Sequence, residues 1–198
     1  MSVIVEGRVW RFGDGIDTDE LFAGRFIMTG DERNSDAYKE SIIRGVFESL
    51  STIGQENRNV PEGFVDTVSC IVSGYEKGNQ RDKDALRGDI IVAGENFGIG
   101  SSRQQAAEAL RFLAISACLA EAIHRIFFRN FWNLGGVAVD QKGVSSIFVT
   151  GDMAKIDLDQ RVVYNLSNNK RIELKIKLPQ EVIAMYTEGG LIPYHKNR

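Results

Sequence analysis

Cysteine is nearly missing from this 198-residue chain, which has only Cys70 and Cys118. Neither belongs to a CxxC spacing, and each lies inside an apolar run, so both are read as buried free thiols. Zinc and iron–sulfur centres need a set of ligands at fixed spacing, which excludes either one held by this chain alone. An excess of charge of one sign is also missing: 24 basic and 27 acidic residues are interspersed and leave a net charge of −3. With no basic footprint, no nucleic-acid partner is expected. No run approaches the roughly 18 apolar residues of a membrane span, and the start, MSVIVEGRVWRF, lacks the basic and apolar regions of a leader. The expectation is a cytoplasmic protein without a membrane partner. A hydrophobic content of 43% with 26% charged residues suits one globular domain over 1–198.

Along the chain, Val3 to Phe12 alternates like a strand, and GDGIDTDE follows with turn chemistry. Leu21 to Thr29 reads as a strand or an irregular extended piece. From a cap at Ser35 or Asp36, the spacing of Tyr38, Ile42, Ile43, Val46 and Phe47 predicts a helix ending near Leu50. Residues 51–88 are irregular, with one apolar island at Val65–Val72, and are expected to form a mobile or partner-facing arm carrying a strand or hairpin. A strand at Asp89–Ala93, a helix over Arg103–Leu113 and a strand within Ala114–Leu119 make a βαβ unit. A helix over Ala122–Asn133, stopped by Gly135 and Gly136, leads to a strand at Val137–Asp140. Short strands are expected near Ser146–Thr150, Lys155–Asp157, Arg161–Leu166 and Arg171–Lys177, and a last short helix from Pro179.

The chemistry concentrates in GENFGIGSSR, residues 94–103. Glycines at 94, 98 and 100 let the loop bend and bring backbone N–H groups close to a ligand. The loop runs into a helix, so Ser101, Ser102 and Arg103 sit at its N-terminus, where the dipole favours anions. A guanidinium there opposes the dipole, which calls for a compensating anion. A dinucleotide fingerprint would need glycine in place of Arg103, and the Gly-Lys-Ser/Thr of a Walker loop is missing. The spacing supports a carboxylate or phosphate cradle, or a plain glycine turn with a serine cap.

GENFGIGSSRQQAAEAL resembles the aconitase-superfamily signature around Gly-Ser-Ser-Arg. GRVWRFGDGIDTDELFAGRF, AIHRIFFRNFWNLGG and the terminal GGLIP are similar, in that order, to stretches of isopropylmalate isomerase small subunits. The resemblance implies an α/β fold, a swivelling β/β/α three-layer sandwich, that closes over a separate large subunit in a heterodimer or heterotetramer. That subunit would carry a [4Fe–4S] cluster, with none bound here, and the substrate would be a small dicarboxylate. By the same resemblance Ser101 is the general base, Arg103 stabilises its alkoxide, and Ser102 helps bind a substrate carboxylate on the loop shaped by Gly98 and Gly100. The family's functional aspartate falls in Thr18-Asp19; Asp19 would orient an arginine or the loop serines, and Asp17 is its competitor.

In this family the segment after DTD faces the substrate's variable group. Here it reads FIMT, with Met28 and Thr29 in the substrate-binding stretch and Met28 where an arginine would meet a third carboxylate. A thioether offers adaptable apolar surface instead, favouring an alkyl-substituted malate over a tricarboxylate. Isopropylmalate comes first, with methylmalate, dimethylmalate and homoaconitate relatives behind it; Arg25 competes with Met28 for the position. Gln104-Gln105 departs from the family's Glu-His or Glu-Gln, which supports a non-catalytic carboxylate- or phosphate-binding module as the rival function. His124 stands in place of the family's alanine and is read as a helix-face residue. His195 lies in the tail, and Phe127, Phe128, Phe131 and Trp132 are core and subunit-contact residues.

Overall fold

The computed structural model describes residues 3–26, 35–53, 59–100 and 103–198. Among the described residues seven strands form the sheet: β1 (Ile4–Arg11), β2 (Ile90–Ala93), β3 (Ala117–Ala120), β4 (Val137–Asp140), β5 (Met153–Asp157), β6 (Val162–Asn165) and β7 (Arg171–Glu173). Their spatial order is β4-β3-β2-β1-β5-β6-β7. The β4 to β1 half is parallel, and β5 to β7 continue antiparallel. Every residue of IIVA in β2 and ACLA in β3 is buried, as expected of parallel strands covered on both faces.

β1 changes partner along its length. Its first part, Ile4 to Arg8, pairs with β5, whereas Val9 to Arg11 pair with β2. Near the switch Gly7 meets the Gly88 carbonyl so closely that an added Cβ would lie 2.0 Å from its oxygen. Asp89, at the entry to β2, ties that strand to β1: its Oδ2 accepts from Arg8 Nη2 at 2.7 Å, Arg8 Nε at 3.1 Å and the Trp10 indole N–H at 2.7 Å. Such charge-assisted bonds compensate a carboxylate that is only 7% exposed.

The helices are α1 (Thr18–Leu21), α2 (Asp36–Ile53), α3 (Phe64–Lys77), α4 (Gln80–Lys83), α5 (Gln104–Phe112), α6 (Arg125–Asn133), α7 (Gln180–Glu188) and α8 (Leu191–Lys196). The expected βαβ unit is β2–α5–β3, and α6 joins β3 to β4 in the same way. Ser35 caps α2, its Oγ accepting from the Tyr38 N–H at 3.1 Å, and Ile42, Ile43 and Val46 enter the core.

Three expectations are corrected. Val65–Val72 is no strand or hairpin but part of α3; within the 51–88 arm, Phe64, Val68, Ile71 and Val72 recur at helical spacing and are buried. In place of a strand at Ser146–Thr150 there is a 3₁₀ turn, Val144–Ile147, entered through Gly143 at φ 86° and held by Glu121, which accepts from the N–H groups of Gly143 and Ser145. Cys70 is exposed on α3; only Cys118 is buried, and burial pushes its thiol pKa up. At the C-terminus α7 is followed by a helix that was not expected, α8, which starts after Gly190 and buries Tyr194. Among the described residues no helix is long and apolar enough to cross a membrane.

Because the Gly7 contact is backbone against backbone, a side chain cannot rotate away from it. Gly7→Ala is expected to cost about 1–3 kcal/mol in chemical denaturation of the chain. An unchanged midpoint would mean that β1 and the Gly88 turn separate freely.

Candidate functional site

The loops that leave β1, β2 and β3 emerge at the carboxyl ends of parallel strands, the edge where open α/β sheets bind ligands. Residues 12–18 are laced to residues 92–99 by backbone bonds. Phe12 N donates to Val92 O at 2.7 Å, Gly94 N to Gly13 O at 3.0 Å, Gly15 N to Glu95 O at 2.7 Å, Gly98 N to Ile16 O at 2.8 Å and Thr18 N to Ile99 O at 2.8 Å. On the other side, Phe97 N donates to Ala122 O and His124 N to Phe97 O, bringing in the loop before α6.

Gly98 and Gly100 adopt φ +73° and +109°, a region costly for other residues. Each also has a close neighbour: a Cβ at 98 would meet the Phe127 ring at 2.5 Å, and one at 100 would meet Thr18 Oγ1 at 3.0 Å. Thr18 is 2% exposed and thus packs beneath the loop. Ser101, Ser102, Met28 and Thr29 lie outside the described residues.

The two aspartates of DTD do different things. Asp17 caps α1: its Oδ1 accepts from Glu20 N at 2.7 Å, and Glu20 Oε2 accepts from Asp17 N at 2.9 Å, a reciprocal capping box. Asp19 turns to Arg103, its Oδ1 accepting from Nη1 at 2.7 Å and from the Gly24 N–H at 3.3 Å. Arg103 occupies the N-cap of α5 without supplying an acceptor to the helix, so Asp19 is an anion that compensates a guanidinium set against the dipole. The pair is 31% and 50% exposed, and such pairs add only about 0–1 kcal/mol to stability. Its consequence is orientation. Arg25 is exposed and reaches Thr52 on α2.

Sequence reasoning missed a second network behind the loop. Glu108 is 7% exposed on the buried face of α5; its Oε1 accepts from Gln104 Nε2 at 2.7 Å and its Oε2 from the Tyr38 hydroxyl at 3.0 Å. The signal was a lone acid among Ala106, Ala107, Ala109 and Leu110, four residues beyond Gln104. Gly24, whose N–H reaches Asp19, was missed as well; only its place between DTDE and FIMT pointed to it.

Around the rim, Lys142 pairs with Glu95. Burial works to raise the Glu121 carboxyl pKa, but its bonds to Ser145 and the Gly143 N–H outweigh it and leave the pKa lowered. Burial lowers that of Arg11, against the pull of Asp14 and Glu121. In α6, Phe127 and Phe131 stack at 5.8 Å and Trp132 donates to Ala138 O, so these aromatics are core, while Arg125, Arg129 and His124 are exposed. Among the described residues no three His, Cys, Asp or Glu side chains gather to hold a metal ion.

The aconitase C-terminal domain family matches residues 28–144. The chain is 32% identical over 196 residues to a 3-isopropylmalate dehydratase small subunit of Hydrogenobaculum sp. (strain Y04AAS1), covering 99% of this chain and 98% of the relative. It is also 32% identical to an isopropylmalate/citramalate isomerase small subunit of Methanocaldococcus jannaschii, covering 100% and 97%. Among solved structures, 3-isopropylmalate dehydratase from Methanocaldococcus jannaschii superposes with a TM-score of 0.71 at 29% identity, covering 99% of this chain and 95% of that one.

Gln104 bonds to Glu108 as a donor, so Gln104→Glu would set two acceptors against each other. The expected loss is about 1–3 kcal/mol of stability at neutral pH. It shrinks between about pH 7 and about pH 4.5, as protonation of the introduced carboxyl restores a donor. Denaturation midpoints across that range check this; a pH-independent loss would point to packing instead.

Proposed function

The chain belongs to the family of 3-isopropylmalate dehydratase small subunits, built on the aconitase C-terminal domain, and on that footing we propose that it works with a large subunit to isomerise 2-isopropylmalate to 3-isopropylmalate, a step of leucine biosynthesis. Dehydration followed by rehydration moves the hydroxyl between adjacent carbons. The observation that carries this reading is the Asp19–Arg103 pair, which joins two stretches of family likeness at the edge of the sheet.

In this reading Ser101, two residues before Arg103, removes the carbon-bound proton. A serine hydroxyl is too weak an acid to do so unaided, and a guanidinium with loop N–H groups is the environment that stabilises its alkoxide. Among the described residues Arg103 donates to Asp19 through one nitrogen, and in this reading its other donors meet a substrate carboxylate, which Ser102 also binds. Thr18 supports the loop from beneath, and Gly98 and Gly100 give it its bend. The substrate's alkyl group is assigned to Met28 and Thr29 from the family resemblance, in keeping with the methyl-bearing citramalate in one relative's name.

The cysteines of this chain do not fit a cluster. Cys118 is enclosed in β3 with its thiol pKa pushed up, which disfavours the thiolate, and Cys70 stands on the outer face of α3. We therefore assign the [4Fe–4S] cluster to the large subunit, in a heterodimer or heterotetramer. There it supplies Lewis-acid activation of the substrate hydroxyl.

A non-catalytic anion-binding module drew its support from Gln104-Gln105. The bond from Gln104 to Glu108 gives that glutamine a structural use, as donor to a buried carboxylate, and weakens the support.

Mixed with the large subunit, Ser101→Ala and Arg103→Gln are expected to lower kcat by about 100-fold or more, while both variants still co-elute with it. Near-normal turnover by Ser101→Ala would sink the assignment of the base. Alkylmalates should turn over in preference to tricarboxylates such as homocitrate.

A further inference from the structure

We propose that Gly24 is a positioning residue for Arg103: its bare α-carbon is the seat on which the guanidinium lies. An added Cβ at 24 would come within 2.2 Å of Arg103 Nη1, 2.5 Å of Cζ and 2.7 Å of Nη2. The guanidinium thus lies against Gly24 while Nη1 donates to Asp19, and the Gly24 N–H donates to the same Asp19 oxygen. One glycine therefore sets both members of the ion pair, through its N–H and through the side chain it lacks.

Which partner would yield to a methyl group decides the consequence. The backbone at 21–24 is fixed from several sides: Leu21 and Phe22 are fully buried, and Ala23 N donates at 2.8 Å to Ser49 Oγ, which is buried in α2 and itself donates to the Gly45 carbonyl. The guanidinium is the end of a flexible, 31% exposed side chain whose ion pair holds it weakly. It gives way first. The cost of Gly24→Ala then falls on the orientation of Arg103 and little on the fold. The inference rests on the reading of Arg103 as the group that faces substrate.

The test measures kcat and KM of Gly24→Ala and Arg103→Gln in the enzyme reconstituted with its large subunit, with thermal melting of each variant. Displacing the guanidinium by about 1 Å should lower kcat/KM of Gly24→Ala by about 10- to 100-fold. Loss of that size with melting within about 2 °C of the parent supports the proposal. Activity within about twofold of the parent, while Arg103→Gln is crippled, overturns it and leaves the function standing. If Arg103→Gln is itself near normal, the reading of Arg103 fails and the proposal with it. Loss of activity together with a melting point lower by many degrees assigns Gly24 a merely structural role and also overturns it.

Discussion

The site depends on the parallel pairing of β1 with β2. Asp19 and Arg103 stand 84 residues apart in sequence, and closing a loop of that length costs about 4.5 kcal/mol in chain entropy. An ion pair this exposed supplies about 1 kcal/mol at most, so it cannot bring its own members together. The sheet does that. Val9, Trp10 and Arg11 register with Ile90, Ile91 and Val92, and the strand ladder continues past the strands as the backbone bonds between residues 12–18 and 92–99. By the time the chain reaches Thr18 and Ile99, the two loops are already fixed against each other.

That dependence explains two glycines along the β1–β2 seam. Midway along β1, near the switch of partners, Gly7 admits the Gly88 carbonyl, and Asp89 clasps Arg8 and Trp10, so that one strand serves the antiparallel sheet and then the parallel one. Where the chain leaves β2, a Cβ on Gly94 would lie 1.7 Å from Asp14 Oδ1, the oxygen that accepts from the Glu95 N–H. At both places a neighbour, the Gly88 carbonyl in one and the Asp14 carboxylate in the other, occupies the space a side chain would need.

Much of this was legible in the sequence because local and tertiary signals agreed. The alternation of β1, the apolar runs of β2 and β3, and the spacing of α2 each named their element, and the glycines at 98 and 100 marked the loop. The α3 helix was misread because an apolar island beside glycine- and asparagine-rich sequence looks the same in a strand as in a helix, until Phe64 is counted with it. The turn at Val144–Ile147 was invisible for another reason: the carboxylate that shapes it, Glu121, lies more than twenty residues upstream. Asp17 and Asp19 were indistinguishable in DTD because capping and ion pairing call for the same residue type. Only the Arg103 contact separates them.

The placement of Arg103 is the point at which stability and function part. A positive side chain at a helix N-terminus, with no acid in the first turn of α5, opposes the helix dipole. A glutamate at 104 would relieve that conflict, but Glu108 one turn further along the helix is already buried and needs a donor there, which Gln104 supplies. Relief comes instead from outside the helix, from Asp19 across the loop. This arrangement leaves the helix N-terminus without a resident side-chain carboxylate in its own first turn. Among the described residues Arg103 is held by Asp19 at one nitrogen, and its side chain is about a third exposed (31%), so a substrate carboxylate meets both an oriented guanidinium and the positive end of α5.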